Sequence, residues 1–465
     1  MKQRIAITAA LLLALLLTAC GAKTPEGAAP SETAASAPED GIVALTVGTH
    51  DVSPYVYNYF YKETYSRIAN DYGSEALGYL ADYIAEQANK STRDTYAIYD
   101  AAVAAGETLT DDLRGQIEAH LKQLKSTAKE YDYPDLDAFL AAIYGTGCNE
   151  KNYREYLDVH TLASIYQQKD QLAFSAELTM DKFSEYYARN QLNFDTVDFR
   201  WFLVPVAPDR DMAKTESLAK TMETMIHDDV PGFTKMAHEL ANEEEAEFYA
   251  EESATLVHGE KINYVDNELR DWMADPARQE GDTIVVRSAD EIGTYVACFL
   301  SRDDHNYRAV NVRHVLVPVA SDADEKTKTE AAQTAQKYLD EYLAGEKTEE
   351  AFAELAKAHS ADRASTGGLY ENVIKGEMET AFNDWCYDPA REPGDAAIVE
   401  TGYGYHVVYF VGLGDNACWK LVTDEMKSNH STAWVMRLTE GYEIKVNEDG
   451  MKYTARIQSN TGTSE

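Results

Sequence analysis

The sequence predicts a multidomain protein of α and α+β modules, in which a helical N-terminal module precedes two tandem homologous α+β domains. Three observations predict it. An internal repeat runs through the second half of the chain at a constant offset. Apolar residues recur at helical spacing through much of the stretch before residue 190. The chain has 465 residues, more than one hydrophobic core normally serves, and length alone suggests about three domains.

The chain opens Met1-Lys2-Gln3-Arg4 and runs apolar over residues 5–17. Two cations before so short an apolar run read as a secretory signal over 1–20, because a spanning helix needs roughly 20 consecutive apolar residues. The run ends Leu17-Thr18-Ala19-Cys20-Gly21. That resembles the lipobox of bacterial lipoproteins, and the resemblance implies that Cys20 is lipidated and becomes the mature N-terminus. The expected location is therefore extracytoplasmic, with the membrane a partner through a lipid anchor at the outer face of the cell membrane, or in the periplasm of a cell with two membranes. Residues 21–41 lack large apolar side chains and read as a flexible tether.

Asp and Glu number 80 against 42 Lys and Arg, a formal net charge of −38. Such a surface repels phosphate backbones, so nucleic acid is not an expected partner. After Cys20 the cysteines are Cys148, Cys298, Cys386 and Cys418, widely spaced and without a C-x-x-C, which indicates neither a zinc site nor a redox motif. Disulfides stay open in this compartment, and the sequence does not pair these residues. H-E-x-x-H, P-loop and G-x-S-x-G motifs are absent, and Gly402-Tyr403-Gly404 is too short for a dinucleotide fingerprint. The acidic stretch 238–252 reads as a solvated helix face. No metal and no cofactor is expected.

Residues 42–190 form the helical module. Thr110 is placed to cap a helix whose Leu113, Ile117, Leu121 and Leu124 share one face. Further helices are expected over 54–70, 136–144, 153–168 and 180–190. Tyr55, Tyr57, Tyr59, Tyr61 and Tyr65 crowd the first of these. They read as packing residues, with an aromatic cradle for unfolded chains as the sharper alternative.

The repeat sets the next two domains. Arg200-Trp201-Phe202-Leu203-Val204-Pro205-Val206 recurs as Arg313-His314-Val315-Leu316-Val317-Pro318-Val319. Asp271-Trp272-Met273-Ala274-Asp275-Pro276-Ala277-Arg278 recurs as Asp384-Trp385-Cys386-Tyr387-Asp388-Pro389-Ala390-Arg391, and the offset is 113 residues in both cases. Each copy, 195–302 and 308–413, reads strand, helix, helix, loop, short helix, strand, strand, which is a small α+β unit with helices against an antiparallel sheet. In the second copy 312–317 is the first strand, and a helix over 326–343 stops at Gly345. Thr348 caps a helix that turns Phe352, Leu355 and Ala356 inward, and 401–411 closes the unit as a strand. Residues 415–458 supply a C-terminal helix over 418–438 and a strand over 442–446.

The second copy resembles a parvulin-type peptidyl-prolyl isomerase domain. The elements that carry the resemblance are Arg313-His314-Val315-Leu316-Val317, Phe352-Ala353-Glu354-Leu355-Ala356 with Ser360-Ala361-Asp362, Gly367-Gly368-Leu369, Gly376-Glu377-Met378 with Phe382, Pro393-Gly394-Asp395, and Thr401-Gly402-Tyr403-Gly404-Tyr405-His406. They fall in the family's order across about a hundred residues. The resemblance implies an FKBP-like α+β fold, a catalytic set of His314, Asp362, Thr401 and His406, and a proline-binding wall of Leu369, Met378 and Phe382. Two departures stand out. The loop after Asp362 is shorter than the family's, and Gly367-Gly368-Leu369-Tyr370 replaces the commoner Gly-Gly-Asp-Leu-Gly. The acidic run Ser321-Asp322-Ala323-Asp324-Glu325 also speaks against a phosphoserine-proline preference, which would need cations.

The whole chain is similar in architecture to the PrsA/SurA class of extracytoplasmic foldases. That similarity implies a SurA-N-like chaperone module at 42–190, with 415–458 packing back onto it, and unfolded or partly folded exported proteins as partners. A homodimer is left open. In the first copy Trp201 stands for His314, Tyr295 for His406, and Val265 and Leu269 for Met378 and Phe382. This copy keeps the scaffold without the polar set and is expected to be degenerate. The competing readings are a non-catalytic holdase and a solute-binding lipoprotein; the second would need two α/β lobes, which the repeat does not supply.

Overall fold

The computed structural model describes residues 41–457. Cys20, the signal, nearly all of the tether and the tail beyond 457 lie outside the described residues. The described chain mixes helices and antiparallel sheets and divides into two compact units, one made of 41–177 with 426–457 and the other of 178–425.

In the first unit a small sheet draws on both ends of the chain. β1 (Leu45–Val47) lies between β2 (His50–Val52) and β11 (Ile444–Val446), antiparallel to each. The helices are α1 (Pro54–Tyr72), α2 (Ala81–Ala104), α3 (Asp111–Glu130), α4 (Leu136–Tyr144) and α5 (Glu150–Ala176). Helix α1 starts where Pro54 presets a helical φ and the Ser53 hydroxyl accepts from Val56 N. Thr110 does the same for α3, accepting from Leu113 N. The tyrosines of α1 build the core: Tyr57, Tyr59 and Tyr61 are buried, and the Tyr59 ring meets Tyr153 and Tyr156 of α5 at centroid distances of 4.8 and 5.3 Å. Burial of these three leaves them unavailable as an open cradle. Helix α2 is absent from the sequence reading, since its buried face relies on Ala81, Ala85 and Ala88 around Ile84 and gives a weak apolar signal.

The second unit begins with α6 (Met180–Asn190). The first copy holds β3 (Thr196–Pro205), α7 (Met212–Glu223), α8 (Val230–Leu240), β4 (Leu256–Lys261), α9 (Asn267–Ala274), β5 (Thr283–Arg287) and β6 (Gly293–Asp303). The second holds β7 (Arg308–Pro318), α10 (Glu325–Ala344), α11 (Glu349–His359), β8 (Leu369–Val373), α12 (Thr380–Cys386), β9 (Ala396–Thr401) and β10 (Gly404–Asn416). Their sheets share one topology, β4-β3-β6-β5 and β8-β7-β10-β9. Helix α13 (Ala417–Leu438) follows. The acidic stretch is not one helix, because α8 ends at Leu240.

Two features of the second copy differ from the sequence reading. Residues 401–411 are not one strand: Thr401 ends β9, Gly402 and Tyr403 turn, and β10 starts at Gly404. Gly404 has φ +129°, and a Cβ there would collide with the Val317 carbonyl, so only glycine brings the turn this close to β7. The segment after Gly368 is also a strand, β8, on the edge of the sheet beside β7.

The sheet has two apolar faces. Val315, Val407 and Tyr409 pack under Tyr342 of α10 and Phe352 and Leu355 of α11. Val310, Val312, Val408 and Phe410 pack on the other side with Phe382 of α12. Alternation along β7 and β10 therefore assigns His314 and His406 to the α12 side.

Candidate active site

His314 on β7 and His406 on β10 sit two residues off a direct rung, His314 opposite Val408 and His406 opposite Leu316. This diagonal stacks the rings at 5.2 Å and 15° and brings Nδ1 of one to 3.0 Å from Nδ1 of the other. Thr401, two residues beyond the Val399 that faces His406, puts its hydroxyl 2.8 Å from His406 Nε2. At the other end His314 Nε2 lies 3.2 Å from Asp362 Oδ2, in reach of the carboxylate but off the line of a straight N–H···O bond.

Asp362 reaches this position from the loop after α11. Ala361 N donates to Leu316 O, and the Ser360 hydroxyl accepts from Leu316 N, which ties the shortened loop to β7. The same hydroxyl donates to the Asp362 carbonyl and accepts from its N–H.

Burial pushes the imidazole of His406 down to about 4, helped by the neighbouring His314 and opposed by Asp362. Burial also lowers His314, against the pull of Asp362. Both rings are neutral at pH 7, and two neutral rings joined through their Nδ1 atoms need one donor and one acceptor. Thr401 Oγ1 accepts from Tyr403 N, so its own proton is free to go to His406 Nε2. The order that suits a carboxylate beside His314 Nε2 has Thr401 donating to His406 Nε2, His406 donating from Nδ1 to His314 Nδ1, and the remaining proton on His314 Nε2. The reverse order would aim a lone pair at a carboxylate.

Phe382, 3% exposed, meets both imidazoles edge-on, at 5.9 Å from His314 and 5.4 Å from His406. Met378 is half-buried against the same cluster. The structure thus brings together His314, His406, Thr401, Asp362, Met378 and Phe382. It does not bring Leu369. Leu369 pairs with Arg313, whose guanidinium reaches Glu349 of α11, so it occupies the helix-covered face. Its neighbour Tyr370 takes the site side, with its ring 5.1 Å from His314. The signal that could have found Tyr370 is the strand alternation of β8, hidden by reading 367–369 as a loop.

The first copy has the same arrangement without imidazoles. Tyr295 faces Leu203 as His406 faces Leu316, and Val265, Leu269 and Tyr295 are buried in one cluster with Trp201 packed against it.

The model of the PPIC-type PPIase domain family matches residues 299–411. A foldase protein PrsA 1 of Listeria innocua is 26% identical over 154 residues, covering 31% of this chain and 47% of that protein. This chain spans about half the length of the Listeria innocua and Listeria monocytogenes foldases it matches. The crystal structure of a peptidylprolyl isomerase (PrsA) from Bacillus cereus is 14% identical and covers 65% of this chain and 92% of its own; its TM-score of 0.21 gives it no weight. The peptidyl-prolyl cis-trans isomerase pin4 of Emericella nidulans is 32% identical over 108 residues, covering 23% of this chain and 72% of that protein. Matched over most of that enzyme's length and by the domain model across the His314–His406 sheet, the chain belongs to the PPIC-type, or parvulin, family of peptidyl-prolyl isomerases.

Proposed function

We propose that this protein is a lipid-anchored extracytoplasmic foldase. Its second parvulin-like domain isomerises X–Pro bonds, and its helical module holds unfolded exported proteins. Rotation about an X–Pro bond meets a barrier of about 18–20 kcal/mol because the C–N bond has double-bond character. The uncatalysed step takes tens to hundreds of seconds. Lowering the barrier requires an apolar slot for the proline ring and polar groups that favour the twisted amide, whose nitrogen has lost conjugation.

The observation that carries the proposal is the neutral His314–His406 pair, terminated by Thr401 and Asp362 and lying edge-on against Phe382. Phe382 and Met378 form the slot. The paired imidazoles make the floor of the site polar without the desolvation cost that buried charge would carry. No helix among the described residues is long and apolar enough to cross a membrane. In this reading the acyl group on Cys20 supplies the tether.

The deciding experiment is proline-limited refolding of a client together with cis–trans exchange of a short X–Pro peptide. A foldase accelerates both. A holdase suppresses aggregation and leaves both rates at the uncatalysed value, and that result would reject the isomerase assignment.

A further inference from the structure

We propose that Tyr370 is a positioning residue for this chemistry: its hydroxyl fixes the Asp362 carboxylate against His314 and so sets the direction in which protons point along the His314–His406–Thr401 chain. The inference rests on the isomerase reading above.

Asp362 sits on a loop, and its side chain is 38% exposed. The Ser360 hydroxyl holds only its backbone. Tyr370 Oη lies 2.5 Å from Oδ2, the same carboxylate oxygen that stands 3.2 Å from His314 Nε2. Burial and the Asp362 carboxylate raise the Tyr370 phenol, so it keeps its proton and donates. The ring is itself clamped. One side meets His314 edge-on at 5.1 Å and 75°. The Arg363 guanidinium stacks 4.1 Å from the ring centroid. Arg363 has a left-handed φ of +48°, an uncommon conformation for a residue with a Cβ.

This clamp bears on proton direction. The two orders of the chain differ mainly in what His314 Nε2 presents to Asp362. A carboxylate held 3.2 Å from that nitrogen favours Nε2–H over a lone pair there, and the remaining donors and acceptors follow through to Thr401. A carboxylate free to swing into solvent removes the bias. At the same 113-residue offset the first copy carries Val257 in place of Tyr370 and Tyr249 in place of Asp362, so clamp and carboxylate are lost together with the imidazoles.

The test is Tyr370→Phe in the full chain, which keeps the ring and removes the hydroxyl. X–Pro exchange is expected to fall about tenfold to a hundredfold, the weight of one hydrogen bond to a charged group. The loss should appear in kcat with KM unchanged. In an Asp362→Asn background the same substitution should add nothing. Nitrogen-15 NMR of the imidazoles should show His314 protonated at Nε2 in the parent, and in Tyr370→Phe a mixture of the two nitrogens. An unchanged tautomer with unchanged kcat would overturn the proposal. So would additive losses in the double variant, or a rise in KM alone, which would make Tyr370 a substrate contact. The NMR arm needs no turnover: an inactive parent with a tautomer that follows Tyr370 would reject the isomerase reading and leave the clamp standing.

Discussion

Trp201 and Tyr295 occupy, in the first copy, the positions that His314 and His406 occupy in the second, with ring centroids 5.9 Å apart at 33° against 5.2 Å at 15° for the imidazoles. The backbone geometry is retained while every hydrogen-bonding ring edge of the pair is replaced or redirected; burial and Asp266 raise the phenol of Tyr295. One sheet topology therefore carries the same diagonal pair with imidazoles and without them, and the predictions below turn on the difference.

His406→Gln and His314→Gln keep most of the side-chain volume and some hydrogen-bonding capacity. Each is expected to slow X–Pro exchange by roughly tenfold without abolishing it, the scale of one lost hydrogen bond in a buried network. Peptide exchange on folded variants checks it. Unchanged rates in both would make the pair a packing feature.

Combining the two substitutions should leave no exchange above background, because the first copy has no equivalent set. Trp201→Phe, in contrast, should leave the peptide rate as it was. Residual catalysis in the double variant that Trp201→Phe then removes would assign activity to the first copy.

Stability should depend on pH through the same pair. His406 in the folded chain is pushed down to about 4, below the 6.5 of an ordinary histidine. Between these values the unfolded chain binds the proton and the folded chain does not, so stability rises with pH through the window and is lost on acidification from about 6.5 to about 4. His314 shifts in the same direction. The loss from His406 is of order 3 kcal/mol. Urea unfolding between pH 4 and 7 should give a shallower dependence for His406→Gln than for the parent. Coincident curves would mean that another group titrates.

Phe382→Ala deletes a buried ring that packs with Val312, Val408 and Phe410 as well as against both imidazoles. It is expected to cost about 3–5 kcal/mol of stability, a large part of what a domain of this size has. Phe382→Leu should fold and raise KM more than it lowers kcat, read from substrate-concentration series. A selective fall in kcat would move Phe382 from proline binding to orienting the imidazoles.

Cys20→Ala should abolish acylation. Detergent partition should find the parent in the detergent phase and the variant in the aqueous phase or unprocessed; equal partition would remove the lipoprotein assignment.

Most of the site residues are named by the resemblance to the parvulin family, which implies His314, Asp362, Thr401 and His406 as a set; alternation along β7 and β10 explains how the two imidazoles come to share a face. The contact of Thr401 with His406 is legible as a pair of residues but not as a hairpin, because 401–411 is β-like in composition and just two glycines, Gly402 and Gly404, mark the turn. Leu369 and Tyr370 show how narrow the margin is: one step along β8 exchanges the helix face for the site face. The pairing of β1 with β11 was hardest to see. Three-residue strands carry almost no pattern, and their partners are almost 400 residues apart. Helix capping was local and plain, as at Thr110 and Thr348, whose hydroxyls accept from Leu113 N and Ala351 N.

The sheet of the first unit imposes a chronology. Synthesis runs from the N-terminus, so Leu45–Val47 emerges with one edge unpaired and waits for Ile444–Val446. Residues 178–425 carry all their strand partners within themselves and can be complete before that moment. The segment made first is thus finished last. Truncation before residue 444 would leave the central strand of that sheet with a bare edge, the kind of edge to which another extended chain can add.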